Sequence, residues 1–286
     1  MRPQKWPDCD PDIKAFVLAF VGLVRETLAK NVWGIYLHGS LATGSYYRPK
    51  SDIDMIAVVR NKLDSAAARN LNYQIALFAE TRPTVGSIEF SVITADTARD
   101  VPRPMPYELH YSSSWHNRIL NDEVVYGQEQ VDPDLQAHLF CLPRRGARLF
   151  GEPIADTFGE VRWEDFLEAV VDDFGWIVEG EHILESPYYG ILNICRVFQA
   201  LTENRHDPFS KDEGGQWGLA HFPPSYRPLI AKALHVYHAG DPVDEKCLKT
   251  GGAAWDRDQL LSFREYARTH LPCLPDGGVR LSGSAQ

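Results

Sequence analysis

The chain has 286 residues, 44% hydrophobic and 24% charged, with 39 acidic against 29 basic side chains and a formal net charge of −10. Such a balance suits one large or two modest globular domains with a full core. It argues against a polymeric nucleic-acid partner, which calls for a basic face, and favours a small cationic substrate drawn to an acidic cleft. The five cysteines (Cys9, Cys141, Cys195, Cys247, Cys273) are odd in number and show neither a Cys-x-x-Cys pair nor zinc spacing, the pattern of free thiols in a reducing cytosol. The apolar run 15–24 is too short to span a bilayer. Asp8, Asp10 and Asp12 precede it where a signal peptide needs basic residues. A cytoplasmic, monomeric protein without membrane partners is expected.

In chain order, a helix is predicted over 11–31, a strand over 33–37, a turn over 39–51 and a strand over 53–59. The apolar stripe Leu63, Ala66, Leu71, Ile75, Ala76, Phe78, Ala79 predicts a helix over 62–80. Ile88, Phe90 and Val92 alternate with Ser87, Glu89 and Ser91, the period of a half-buried strand. A proline-rich break follows at 102–106. Residues 107–119 fit no single pattern, and 131–150 reads as helix. Gly151-Glu152-Pro153 marks a linker. Beyond it the chain reads as helices over 163–179, 187–203, 212–220, 225–239 and 256–270. The fold expected is an α/β domain with a mixed sheet over 1–155, an α-helical bundle over 156–275 and a flexible tail over 276–286. There are no internal repeats and no low-complexity block.

The chemistry concentrates at Gly39-Ser40 and, twelve residues on, Asp52-Ile53-Asp54. Residues i and i+2 of a strand face the same way, so Asp52 and Asp54 present two carboxylates together with Ile53 turned inward. Two such charges repel unless a cation lies between them, and hard oxygen ligands of this kind suit Mg²⁺. The Gly39-Ser40 turn brings backbone N–H groups toward phosphates. Glu89, opposite Ile88 and Phe90 on its strand, supplies a third acid if that strand lies beside 53–59. It is then either the general base or a third metal ligand. No P-loop forms, because Ser45 stands where the lysine is needed. His-Glu-x-x-His and Gly-x-Ser-x-Gly motifs are absent.

Gly-Ser, a spacer and Asp-x-Asp opening a strand resemble the nucleotidyltransferase superfamily related to DNA polymerase beta. The order continues through Trp115-His116-Asn117-Arg118, Asn193-Ile194-Cys195-Arg196, Ser210-Lys211-Asp212-Glu213 and Phe222-Pro223-Pro224. Over residues 30–270 this is similar to the aminoglycoside adenylyltransferases that modify streptomycin and spectinomycin. The resemblance implies a nucleotidyltransferase domain and a helical bundle with ATP and substrate between them. It implies Mg²⁺ on Asp52 and Asp54 and catalysis by Glu89. Nucleotide contacts fall to Gly39, Ser40, Ser51, Arg196, Lys211 and Tyr266, and antibiotic contacts to Trp115, Glu181 and Glu185. Arg196 lies among Ile191, Leu192, Ile194, Val197 and Phe198, where an arginine needs an anionic partner. Ser210 fits an N-cap ahead of Lys211. Ser186-Pro187 interrupts the acidic stretch 179–185, and Tyr46-Tyr47-Arg48 makes the spacer bulky; both leave the antibiotic open. The activity implied is AMP transfer from ATP to an antibiotic hydroxyl. The alternatives are transfer to another small alcohol or to a protein partner, as in antitoxin-like proteins.

Overall fold

A computed structural model of the chain describes residues 1–241 and 243–273. The expected tail over 276–286 lies outside them. The chain divides into two compact units, one over 3–161 and one over 162–286 with the first two residues.

The first unit runs α1 (Pro11–Leu28), β1 (Val32–Leu37), α2 (Gly39–Thr43), β2 (Ile53–Val59), α3 (Ser65–Ala79), β3 (Ile88–Thr94), α4 (Ala95–Asp100), β4 (Pro106–Tyr107), β5 (Leu109–Tyr111), α5 (His116–Leu120), β6 (Gln130–Val131), α6 (Asp134–Arg145), β7 (Ala147–Gly151) and α7 (Ile154–Thr157). Five strands form one mixed sheet in the order β5-β3-β2-β1-β7, with β2 and β3 parallel and the other pairs antiparallel. Joining two parallel strands takes a crossover, and α3 provides it. Its start is held by Asp64, whose side chain accepts the Ala67 N–H at 2.7 Å.

One sheet face carries Ile35, Leu37, Ile53, Met55, Ala57, Ile88, Phe90 and Val92 against Ile13, Val17, Phe20, Leu71 and Ile75 of α1 and α3. The strand period then turns Asp54 and Glu89 to the opposite face. Two expectations are corrected. Residues 131–150 are not one helix: α6 ends at Arg145, where Gly146 terminates it, and β7 adds an edge strand to β1. The apolar content that suggested a helix belongs partly to this strand, and length alone could not separate the two. The turn after β1 is also shorter than expected, because Gly39–Thr43 forms a helical turn closed by Gly44 in the left-handed region.

In the second unit α8 (Trp163–Val178), α9 (Pro187–Glu203), α10 (Lys211–His221), α11 (Arg227–His238) and α12 (Arg257–Thr269) form a bundle around α9, most of which is buried. Asn204 caps α9 with φ 47° and accepts the Trp163 indole N–H at 2.6 Å, tying the end of α9 to the start of α8. Ser210 is the N-cap of α10 within a full capping box: its hydroxyl accepts the Glu213 N–H, and Glu213 accepts the Ser210 N–H. Helix α10 meets α9 through glycines. A Cβ on Gly214 would lie 2.8 Å from both Cα and N of Arg196, and one on Gly218 2.6 Å from Cys195 Sγ.

In an open helix Gly→Ala gains about 1 kcal/mol. Gly214→Ala meets backbone instead, so we expect it to destabilise the protein by about 1–3 kcal/mol, as overpacked sites do. A lower urea midpoint at unchanged m-value is the expected result. An unchanged or raised midpoint would show that α9 and α10 can separate freely.

Candidate functional site

The local structure around Gly39 decides the geometry of the acids. His38 donates its backbone N–H to the Asp54 carbonyl at 3.0 Å, pinning the end of β1 to the start of β2. Gly39 follows with φ +63°, a conformation that suits glycine. A Cβ there would lie 1.8 Å from Asp54 Oδ2. The Asp54 carboxylate is therefore folded directly over the Gly39 backbone, and Gly-Ser and Asp-x-Asp are two sides of one contact. Register supplies the third acid. In the parallel β2–β3 pair, Asp54 is the direct partner of Glu89, flanked by Ile53 with Ile88 and Met55 with Phe90. Adjacent strands lie roughly 4.8 Å apart, so both carboxylates occupy neighbouring positions on one face, and each is partly buried.

Asp52 lies just before β2 rather than in it. Its Oδ1 accepts the Ser87 N–H at 2.6 Å while Ile53 donates to the Ser87 carbonyl at 2.8 Å, so Asp52 also clamps the entries of the two strands together. Among the described residues no group of three or more His, Cys, Asp or Glu forms a self-sufficient metal cage. The acids offer hard oxygens and leave the remaining positions to other ligands, a donor set that fits Mg²⁺ completed by water and phosphate oxygens. Ser51 is buried; its hydroxyl accepts the Tyr47 N–H at 3.0 Å and its own N–H donates to the Tyr47 carbonyl, so it closes the spacer loop. Arg48 braces that loop from outside through Asp10 and Asp12.

His38, absent from the sequence-based candidates, is buried and packs tilted against His138 of α6 with ring centroids 4.6 Å apart. Burial holds its pKa well below the ordinary value of 6.5, and the His138 ring pushes the same way. Burial also lowers His110, whose Nδ1 meets Ser91 Oγ at 3.0 Å. Trp115 caps α5 and packs partly buried against the core, with the Arg118 guanidinium 4.5 Å over its ring.

The second unit gathers the other predicted residues in three places. Arg196 is partly buried on α9 beneath Gly214 and, among the described residues, has no hydrogen-bond or ion-pair partner. Lys211 opens α10, with its ammonium 4.8 Å from the Tyr189 ring centre and 6.0 Å from that of Tyr237. Tyr189 in turn donates to Asp173 at 3.3 Å. Tyr266 lies elsewhere, on α12 among Phe222, Tyr226 and His270. Structure thus surrounds Lys211 with Tyr189 and Tyr237, which sequence reasoning did not single out; Tyr189 stands seven residues before Arg196, two turns of one helix face, and that spacing was the available signal. Glu181 and Glu185 are exposed and flank the 3₁₀ turn His182–Leu184 between α8 and α9 rather than lying on a helix, and Glu181 pairs with Arg257.

The chain is similar to known proteins along most of its length. Residues 156–266 match the family model described as the aminoglycoside adenylyltransferase C-terminal domain. An aminoglycoside (3'')(9) adenylyltransferase of Escherichia coli is 23% identical over 264 residues, covering 88% of this chain and 92% of that protein. The chain is thus similar to aminoglycoside adenylyltransferases over most of its length. A spectinomycin 9-adenylyltransferase of Campylobacter jejuni is 22% identical over 218 residues, covering 76% and 82% of the two chains. The crystal structure of an Enterococcus spectinomycin adenyltransferase with ATP and spectinomycin superposes with a TM-score of 0.71 at 18% identity, covering 88% of this chain and 99% of that one. The fold is therefore that of these enzymes. The family-matched stretch includes Arg196, Lys211 and Tyr266.

Two outcomes are expected of the site residues. Gly39→Ala must displace the Asp54 carboxylate, so it should remove divalent-ion binding while the far-ultraviolet circular dichroism stays native; retained binding would separate the turn from the acid. His38 and His110 resist protonation when folded, and the unfolded chain takes the proton first. Their contribution to stability is complete above the ordinary value of 6.5 and is lost as pH falls below it. Urea midpoints should decline over that range, and His38→Gln should flatten the decline.

Proposed function

We propose that this protein transfers AMP from ATP to a hydroxyl of an aminocyclitol antibiotic of the spectinomycin or streptomycin type. The observation that carries the reading is the direct register of Asp54 with Glu89, with the Asp54 carboxylate folded over Gly39. Asp52 and Asp54 would hold Mg²⁺, which when bound neutralises triphosphate charge and stabilises the leaving pyrophosphate. The half-exposed Gly39-Ser40 turn offers backbone N–H groups to phosphate oxygens.

Glu89 accepts the proton of the acceptor hydroxyl. That oxygen forms a bond to the α-phosphorus as the bond from phosphorus to the bridging oxygen breaks, and the electron pair leaves with pyrophosphate. Arg196, without a protein partner among the described residues, and Lys211 serve the phosphates. Trp115 offers an aromatic face to the drug, and Glu181 and Glu185 offer carboxylates to its cationic groups. The acidic balance of the chain supports a cationic acceptor. No described helix is long and apolar enough to cross a membrane.

The direct experiment is incubation with ATP and Mg²⁺ against a panel containing spectinomycin and streptomycin, following pyrophosphate release and the mass of the drug. Gain of one AMP on a drug supports the reading. ATP binding without drug modification would move the search to other alcohols or a protein acceptor. Glu89→Gln should cut turnover by about 10²-fold or more with ATP affinity retained; collapse of ATP binding would make Glu89 a metal ligand instead. Arg196→Ala should raise KM for ATP roughly tenfold or more, the worth of a charge-assisted hydrogen bond, and an unchanged KM would remove it from the nucleotide site.

A further inference from the structure

The loop that carries Asp52 has to be held against charge. Asp52, Asp54 and Glu89 gather three acids where β2 and β3 begin, and like charges at close quarters repel. Strand pairing fixes Asp54 and Glu89. Asp52 lies just before β2, at the end of the spacer loop that starts at Gly44. On its inner side that loop is closed by the Asp52–Ser87 bond at 2.6 Å. On its outer side it is closed by Arg48.

Residues 45–51 are buried except for Arg48, which is partly exposed. Arg48 Nη1 donates to Asp10 Oδ2 at 3.1 Å and to Asp12 Oδ1 at 3.0 Å. Its Nη2 donates to Asp12 Oδ2 at 2.7 Å and to the Pro83 carbonyl at 2.5 Å. One guanidinium thus joins the start of α1, the spacer loop and the loop between α3 and β3. An exposed ion pair alone contributes little, but a bidentate fork that also reaches a carbonyl fixes position as well as charge. Arg48 precedes Asp52 by four residues and Pro83 precedes Ser87 by four, so the two loops are clasped at both ends. Between the clasps they touch: a Cβ on Gly86 would lie 2.1 Å from the Ser51 carbonyl oxygen and 3.3 Å from that of Pro49. Within the spacer, the Tyr47 carbonyl accepts the N–H groups of Lys50 and Ser51, and the Ser51 hydroxyl accepts the Tyr47 N–H. A shift at Arg48 is therefore carried to Asp52 through a closed turn. Both terminal nitrogens of Arg48 are engaged by protein, so this guanidinium holds loops together rather than phosphate.

We propose that Arg48 is the positioning residue for Asp52: its fork on Asp10, Asp12 and the Pro83 carbonyl preorganises the Asp52 carboxylate for a divalent ion. The inference rests on the reading of Asp52 and Asp54 as Mg²⁺ ligands given above. Its sign separates it from plain electrostatics. Removing a positive charge from the neighbourhood of an acidic ion site strengthens cation binding, whereas releasing a preorganised ligand weakens it.

The first arm of the test needs no catalysis. Mn²⁺, which takes the same oxygen ligands, is titrated into the full chain without nucleotide and followed by electron paramagnetic resonance. Arg48→Ala and Arg48→Lys are both expected to weaken its binding about tenfold, as loss of one charge-assisted contact implies; lysine keeps the charge but lacks the fork. Unchanged or tighter binding in Arg48→Ala, or full binding in Arg48→Lys, overturns the proposal. The second arm follows amide hydrogen exchange of the full chain without metal. The Ser87 amide should exchange about tenfold faster in Arg48→Ala, while amides at the centre of β2 and β3 keep their protection. An unchanged Ser87 amide, or equal acceleration throughout both strands, overturns the proposal. If the unsubstituted chain binds no Mn²⁺, the metal reading fails, and the exchange arm still decides whether Arg48 positions Asp52.

Discussion

The Asp54 carboxylate lies where a Cβ of residue 39 would stand, and the rest of the candidate site depends on that contact. It requires a glycine in a left-handed turn, a β1 strand that ends at Leu37, and a β2 strand that begins at Ile53. The His38 N–H on the Asp54 carbonyl holds these ends together. Once Asp54 is placed, the parallel register with β3 places Glu89, and the Asp52–Ser87 bond keeps that register from slipping at its open end. A slip of one residue would turn Ile88 to the candidate site and Glu89 into the core, so the apolar face of β3 fixes the outward placement of Glu89.

The helical unit solves a different problem with comparable economy. An arginine within a largely apolar helix has to be supported without being neutralised. Gly214 lets α10 close onto the Arg196 backbone, and no described carboxylate answers the guanidinium. Arg196 is thereby held by packing, with no ion pair among the described residues. Lys211, in contrast, stands against the rings of Tyr189 and Tyr237, whose faces attract an ammonium.

Much of this was legible in the residues. The alternation 87–92 announced β3 and the outward face of Glu89, and Ser210 announced the start of α10; Asp-x-Asp marked the start of β2, but Asp52 lies just before that strand. Other features were hidden for physical reasons. Strand β7 and helix α6 share one apolar stretch, and only pairing with β1 separates them. Glu181 fell between the two expected helices, and only the structure shows it on a turn with Arg257 as partner. Tyr266 came from the resemblance alone, and only packing shows its ring clustered with Phe222 and Tyr226 while Tyr189 and Tyr237 flank Lys211.

The sequence by itself determined the local facts: which residues share a strand face or a helix face, where caps and turns fall, and that two acids follow a Gly-Ser turn. Those follow from periods of 2 and 3.6 residues and from the backbone preferences of glycine, proline and serine, none of which needs distant contacts. Tertiary structure alone decided that Asp54 and Glu89 are register partners, that Gly39 lies under a carboxylate and that two tyrosines flank Lys211. Each joins residues brought together by strand pairing or helix packing. Burial and close approach set those pairings, and neither is written in the spacing of the chain.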